Sequence, residues 1–246
     1  MKKYLKILLH LNNLRKSFGH LMISAAIKSE IKLEILKDAP LGSYLVLSPH
    51  PDDDIFGCGG IISKAAKNSQ NVTTLHLTNG KNITRKHEAE QASKILGSSI
   101  TNFLDYSDGN LVAESKSISI IKEIIEKTQP NIIFVPSLSD PHPDHNATCE
   151  ILAKALESID YRGEIWQYEV WQPLYANRLV TIDDAVTQKS TAIAAHKSQL
   201  EDRSYLEAIL GLNKYRAGMY DAGKYAEGFF TANKELYLKL YEISQK

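Results

Sequence analysis

The stretch SYLVLSPHPDDDIFGCGG, residues 43–60, decides how this chain is read. Tyr44-Leu45-Val46-Leu47 is a short apolar run with β-branched character, ending at Ser48-Pro49, and it reads as a buried strand. Behind it stand His50, Asp52, Asp53 and Asp54, with Pro49 and Pro51 stiffening the loop that holds them. Gly57, Gly59 and Gly60 let the chain turn tightly with its backbone close to a ligand, and helix-like sequence follows Gly59-Gly60 to about Lys67.

Outward from this stretch, strand and helix signals alternate. Strands are expected at 71–77, 100–104, 132–135 and 164–170, and helices at about 84–96, 115–127 and 147–156. Such alternation argues for βαβ units: an α/β, Rossmann-like, mainly parallel sheet with helices on both faces. Ligands of such sheets sit beyond the carboxyl ends of the strands. Beyond Val170 the signals turn helical, at 183–197, 200–210 and from about Ala232, with Asp183 as an N-cap.

The strand at 132–135 leads into a second unusual loop, Ser139-Asp140-Pro141-His142-Pro143-Asp144-His145. Two His/Asp/Pro clusters at the ligand-facing ends of strands crowd like charges that need a cation between them. A catalytic divalent-metal site takes about three protein ligands and keeps one position open. His50 and Asp53, three apart at a strand-to-helix turn, can converge on one ion, with His145 arriving from the other loop. Water activated there attacks a carbonyl, with Asp52 as the proton acceptor. His142 then stabilises the oxyanion and protonates the leaving amine, and Asp144 keeps its imidazole cationic.

Composition bounds the remaining possibilities. A chain of 246 residues suits one sizeable domain, and 29 Lys+Arg against 29 Asp+Glu excludes a dedicated nucleic-acid binder. Two cysteines, Cys58 and Cys149, make no disulfide framework and are expected to be buried packing residues. No apolar run reaches the roughly 20 residues of a membrane span. Met1-Lys2-Lys3 resembles the start of a signal peptide, but His10, Asn12, Asn13 and Arg15 interrupt the apolar stretch behind it, so a cytoplasmic protein is expected. Residues 1–42 are read as a helical N-terminal extension and 43–246 as one domain. Through Ser29 every charge is positive, so residues 1–29 suit peripheral contact with an anionic membrane or a protein, or a helix packed on the domain.

The two loops resemble the signature motifs of the PIG-L/LmbE-like deacetylases, zinc-dependent enzymes that remove N-acetyl groups from sugar-containing substrates. Thr78-Asn79-Gly80, Arg85 with Glu88, Ala89, Ala92 and Leu96-Gly97, and Phe103-Leu104-Asp105-Tyr106-Ser107-Asp108-Gly109 also match the family pattern. So do Lys189, His196-Lys197-Ser198-Gln199 and Tyr225-Ala226-Glu227, giving similarity from about Ser43 to Phe230. The resemblance implies an LmbE-like fold, His50, Asp53 and His145 as zinc ligands, and Asp52 as general base. It also implies His142 as electrostatic stabiliser and acid with Asp144 orienting it, Arg85 as a substrate-binding residue and Asp108 as a substrate contact. The substrate would be an N-acetylated sugar or glycoconjugate. Asp54 departs from the family, which usually has Glu there.

Other readings stay open at this level. Another amide or an ester is a second substrate class, and a metal-binding module without turnover is a third possibility. Asp52-x-Asp54 also suits the metal pair of a nucleotide-sugar glycosyltransferase, although that leaves the second His cluster without a role. His87-Glu88-Ala89-Glu90-Gln91 lacks the second His of a helical zinc motif, so His87 reads as a helix-surface residue. Gly57-x-Gly59-Gly60 lacks the third glycine of a dinucleotide fingerprint. His76 is expected to be structural. Trp166, Tyr168, Trp171 and Tyr175 form an aromatic group, from which Trp171 is the candidate substrate wall.

Overall fold

In a computed structural model, which describes residues 32–98, 100–201 and 203–245, eight strands form one sheet. In chain order they are β1 (Glu34–Leu36), β2 (Tyr44–Ser48), β3 (Val72–Thr78), β4 (Ile100–Tyr106), β5 (Ile132–Pro136), β6 (Glu164–Tyr168), β7 (Arg178–Thr181) and β8 (Ala226–Ala232). The helices are α1 (Asp53–Lys67), α2 (Ile83–Leu96), α3 (Ser115–Thr128), α4 (Pro143–Glu157), α5 (Val186–Ala195), α6 (Lys197–Leu200), α7 (Tyr205–Tyr220) and α8 (Lys234–Ser244). Across the sheet the order is β1-β7-β8-β6-β5-β2-β3-β4, and only β8 runs against its neighbours.

This order follows from the sequence pattern. β2 and β5 are apolar at nearly every position and buried throughout, as strands covered on both faces must be. The chain leaves β2 toward β3 and β4, then returns to place β5 on the other side of β2. Right-handed crossovers put the connecting helices of the two directions on opposite faces. Accordingly α1, α2 and α5 pack together, while α3, α4 and α8 form a second group. The direction reverses between β2 and β5, and a crevice opens beyond their carboxyl ends. Both signature loops leave from there.

α1 carries the first loop on its N-terminus, and its glycines set how closely it lies on the sheet. A Cβ on Gly57 would stand 2.3 Å from the Tyr168 ring, and one on Gly60 would stand 2.5 Å from Ile182. Inside the helix, the N–H groups of Gly60 and Ile61 donate to the two carboxylate oxygens of Glu227, at 2.7 and 2.8 Å. Lys189 Nζ donates to the other side of this arrangement, to Glu227 Oε1 at 2.6 Å and the Phe56 carbonyl at 2.8 Å. Both members of the pair are fully buried. An ion pair out of water is tolerated only where its remaining hydrogen-bonding capacity is used, and here the α1 backbone uses it.

The first half of the chain matches the expected elements, and the second half differs. α1 and α4 begin at Asp53 and Pro143, earlier than the expected starts near Gly59 and Ala147, so both motifs lie on helix N-termini. β7 and β8 replace what reads as helical or irregular sequence. Asp183 is not an N-cap: Ala185 holds that position, and the Asp183 carboxylate accepts the N–H groups of Lys224 and Tyr225 instead. The expected helix at 200–210 is the short α6 followed by α7. β1 lies within the stretch expected to be a helical extension up to residue 42, yet it pairs in parallel with β7. The basic segment through residue 29 lies outside the described residues. Among the described residues, no helix is long and apolar enough to cross a membrane.

The fit of α1 on β6 is testable. Gly57→Ala forces a methyl into the fully buried Tyr168 ring, and the expected loss is about 1–3 kcal/mol in urea unfolding. An unchanged midpoint would mean that α1 does not lie this close to the sheet.

Candidate active site

The first loop is pinned at its base. Ser48, the last residue of β2, donates its hydroxyl to the His50 carbonyl at 2.5 Å and accepts the Asp54 N–H at 3.1 Å. The turn of α1 then brings Asp53 back onto His50. Asp53 Oδ2 accepts the His50 N–H at 2.9 Å and stands 2.9 Å from His50 Nδ1. From α4, His145 Nε2 approaches the same oxygen to 3.1 Å. The three residues expected as metal ligands, His50, Asp53 and His145, therefore converge on one point. His142 is close by, its ring 4.7 Å from His50 and 4.9 Å from His145.

The donor chemistry suits a divalent cation. His145 is fully buried and neither ring nitrogen makes a well-formed hydrogen bond, although a carboxylate oxygen stands 3.1 Å from each. Once it gives up a proton, an imidazole so placed has a lone pair to offer, and imidazole plus carboxylate is a common set for zinc and for several other divalent metals. Among the described residues, the groups that bring one possible ligand atom per residue within 4.8 Å of each other are His50, His142 and His145, and His50, Asp108 and Asp144, so the expected trio with Asp53 is not itself such a group. Both share His50 with the expected set.

Three adjacent acids occupy this turn with three different proton affinities. Asp53 lies well below the carboxylate range because His145 and His50 outweigh the effect of its burial. Burial and the charge of Asp53 push Asp52 up to about 6, against the pull of Arg85. Burial pushes Asp54 up to about 8, which leaves it neutral at pH 7 beside Ser48. The imidazoles respond in the opposite sense. Burial would strip them of charge, yet Asp53 and its neighbours push His50 up to about 12 and His145 up to about 9. In effect the carboxylates hold positive charge in place.

The expected pairing of Asp144 with His142 is not formed through the carboxylate. Asp144 accepts the N–H groups of Gly109 and Leu111, at 2.7 and 3.0 Å, and stands 3.0 Å from His50 Nε2. Its contact with His142 is the backbone N–H, which donates to His142 Nδ1 at 3.2 Å in a helix N-cap. His142 is not held cationic either: burial, with the charges of His50 and His145, lowers its pKa. With Nδ1 accepting, the neutral ring carries its proton on Nε2.

Arg85 rises from the first turn of α2 and divides its guanidinium between two acids. Nη2 lies 3.3 and 3.4 Å from the oxygens of Asp52, and Nη1 lies 2.9 Å from Asp108 Oδ2. Asp108 is exposed, also accepts from Asn79, and is held low chiefly by His50. Trp171 stacks over His142 with ring planes 16° apart and remains 40% exposed. The cavity holds His50, Asp52, Asp53, Arg85, Asp108 and His142 on its polar side. Phe56, Val170, Trp171, Tyr205 and Ile209 form the apolar side.

Sequence reasoning missed Tyr205 and Ile209, on the first turns of α7, since an amphipathic helix does not reveal which neighbour its apolar face meets. It also assigned nothing to Asp140, a buried residue of the quoted motif. Cys58 and Cys149 are buried with thiols pushed up by burial, as packing residues are, and His87 is on the surface. The Asp52-x-Asp54 pair of the glycosyltransferase reading does not form. Asp54 turns under α1 toward Ser48 and is not part of the cavity lining.

Known proteins resemble this chain in sequence and in fold. Residues 45–156 match the PIG-L family, described as GlcNAc-PI de-N-acetylase. A diacetylchitobiose deacetylase of Thermococcus kodakarensis is 25% identical over 254 residues, covering 88% of this chain and 91% of that protein. A conserved protein of Thermus thermophilus superposes with a TM-score of 0.68 at 28% identity, over 77% of this chain and 94% of the other. The 4-carboxy-2-hydroxymuconate hydratase GalB of Pseudomonas putida KT2440 shares the fold at 21% identity, with a TM-score of 0.69 over 78% and 96% of the two chains. The architecture therefore accommodates more than one reaction, and the site has to decide between them.

Behind the site lie two buried histidines, His76 and His196, each pushed by burial from 6.5 down to about 4. They are neutral in the fold but protonate near 6.5 once the chain unfolds. Between pH 6.5 and 4 the unfolded chain thus binds more protons, and stability falls as pH falls through that window. His196→Gln removes one such group, so the stability–pH slope should flatten by up to about 1.4 kcal/mol per pH unit in urea unfolding. An unaltered slope would show that His196 already titrates normally.

Proposed function

We propose that this chain, which carries a PIG-L family domain over residues 45–156, is a metal-dependent N-deacetylase of N-acetylated amino sugars or their glycoconjugates. The observation that carries the reading is the convergence of His50, Asp53 and His145 on Asp53 Oδ2, with the buried Asp52 next to it. A divalent cation, zinc on this reading, would be held by those three residues and supply Lewis-acid polarisation and activated water. GlcNAc-PI in the family description and diacetylchitobiose in the relative's name share an N-acetylglucosamine unit, which supports that substrate class.

The residues around the ligands divide the remaining work. The sugar lies against the exposed part of Trp171, an apolar wall, while Arg85 and Asp108 meet its hydroxyls or an anionic substituent. Asp52, raised to about 6, takes the proton from water as it attacks the acetamide carbonyl. His142 donates Nε2–H to the oxygen that becomes negative. Asp52, now protonated, is the group able to return the proton to the departing nitrogen, because a neutral His142 has no excess proton to give. Arg85 keeps Asp52 ionised between turnovers by opposing the effect of its burial. Acetate and the free amine leave.

The same centre serves a different amide or an ester if the pocket admits one. A hydratase such as GalB, by contrast, releases no acyl group. Acetate release from N-acetylglucosamine-containing substrates, compared across acyl groups, separates these outcomes. Asp52→Asn should lower kcat by roughly 10²- to 10⁴-fold, and chelation should abolish activity until a divalent metal is restored. Turnover that survives both metal stripping and Asp52→Ala would overturn the mechanism.

A further inference from the structure

Asp140 is buried in the turn between β5 and α4, and its two oxygens meet three different parts of the site. Oδ1 accepts the backbone N–H of His142 at 2.9 Å. Oδ2 stands 3.1 Å from His145 Nδ1 and also accepts the backbone N–H of Trp171 at 3.2 Å. Among the described residues, His145 is the one basic side chain within ion-pair distance of Asp140. The turn itself is fixed by the Asp140 N–H, which donates to the Ser137 carbonyl at 2.9 Å.

We propose that Asp140 is a positioning residue for both halves of the site. Its carboxylate fixes His145 as the Nδ1–H tautomer, which aims the Nε2 lone pair toward Asp53, and it sets the height of Trp171 over His142. The two His145 nitrogens face two carboxylates, and an imidazole that binds a metal keeps only one proton. Proton on Nδ1, facing Asp140, leaves Nε2 directed at the oxygen where His50 also arrives. Proton on Nε2 would block that point. A carboxylate behind a metal-binding imidazole commonly fixes the ring in this way, and its loss typically lowers metal affinity 10- to 100-fold. What is particular to this chain is the third contact. Because Oδ2 is shared with the Trp171 N–H, the wall and the ligand cannot move independently.

The inference rests on the metal-dependent reading above, but two of its tests do not require turnover. In Asp140→Asn, one face of the side chain becomes a donor and cannot serve His142, His145 and Trp171 together. The zinc dissociation constant, measured by competition with a chromophoric chelator, should rise roughly 10- to 100-fold. Trp171→Phe keeps the backbone N–H and should leave zinc affinity unchanged. With zinc saturating, Asp140→Asn should raise KM for the acetylated sugar as Trp171→Phe does. If Asp140→Asn does not fold, nitrogen-15 NMR of the unaltered zinc-loaded chain reads the tautomer directly. A proton on His145 Nδ1 with zinc on Nε2 is expected.

Zinc on Nδ1, or parent-like zinc affinity in a folded Asp140→Asn, overturns the assignment. Absence of deacetylation with the zinc and tautomer results intact would instead remove the proposed substrate and leave the role of Asp140 standing.

Discussion

Buried carboxylates crowd the point where β2 and β5 pass into α1 and α4, and compensating their charge constrains everything around them. Asp52, Asp53, Asp54, Asp140 and Asp144 are all nearly inaccessible to water. Ionising every one of them without partners would cost more than a fold of marginal stability can absorb. The structure resolves this by giving each a different environment. Asp54 is neutral, Asp144 has two backbone N–H groups and His50, Asp140 has His145, and Asp52 has Arg85. Asp53 alone faces two imidazoles across one oxygen, the point at which the proposed function puts the cation.

That arrangement needs a rigid base, and much of it comes from chain outside residues 45–156. Lys189 on α5 and Glu227 on β8 are bound to the backbone of α1 within one to two turns of Asp53. Glu169 and Arg216 form a second buried pair that also holds the backbone of Leu174, fixing the loop on which Trp171 sits. The family match thus contains the expected ligands and base, while the C-terminal part contributes the clamp behind them and the apolar wall in front. Strand β8 links the two, because Glu227 lies on it and Gly228 leaves room for the Glu169–Arg216 pair.

How much of this is legible in the sequence depends on whether the information is local. The strand at Tyr44–Ser48, its loop and the second loop after Pro136 are read directly, since an apolar run followed by His, Asp and Pro has few alternative meanings. The direction of Asp144 is not local. Its carboxylate is drawn away from His142 by the N–H groups of Gly109 and Leu111, more than thirty residues earlier in the chain. β7 and β8 fail for a related reason. Arg178–Thr181 is too short to show a period, and Ala226–Ala232 becomes a strand by pairing with β6 and β7 rather than by its own propensity. Asp183 looks like a helix cap because its type fits, but the turn at Lys224 competes for its oxygens and wins.

The departure at Asp54 follows from the same accounting. This position has one methylene fewer than the Glu that the family resemblance leads one to expect. Asp54 still reaches the Ser48 hydroxyl, at 3.4 Å, while Ser48 also accepts the Asp54 N–H. A shorter side chain therefore closes on its own turn instead of reaching farther into the sheet. Because burial keeps Asp54 neutral at pH 7, it adds no negative charge next to Asp52 and Asp53. Had it been ionised, Coulomb repulsion would raise the pKa of Asp52 further and leave it protonated when a base is needed. On the proposed mechanism, then, the neutrality of Asp54 is part of what keeps Asp52 available as a proton acceptor near neutral pH. The zero net charge of the whole chain says nothing of this, since the decisive balance is struck among a few side chains in one turn.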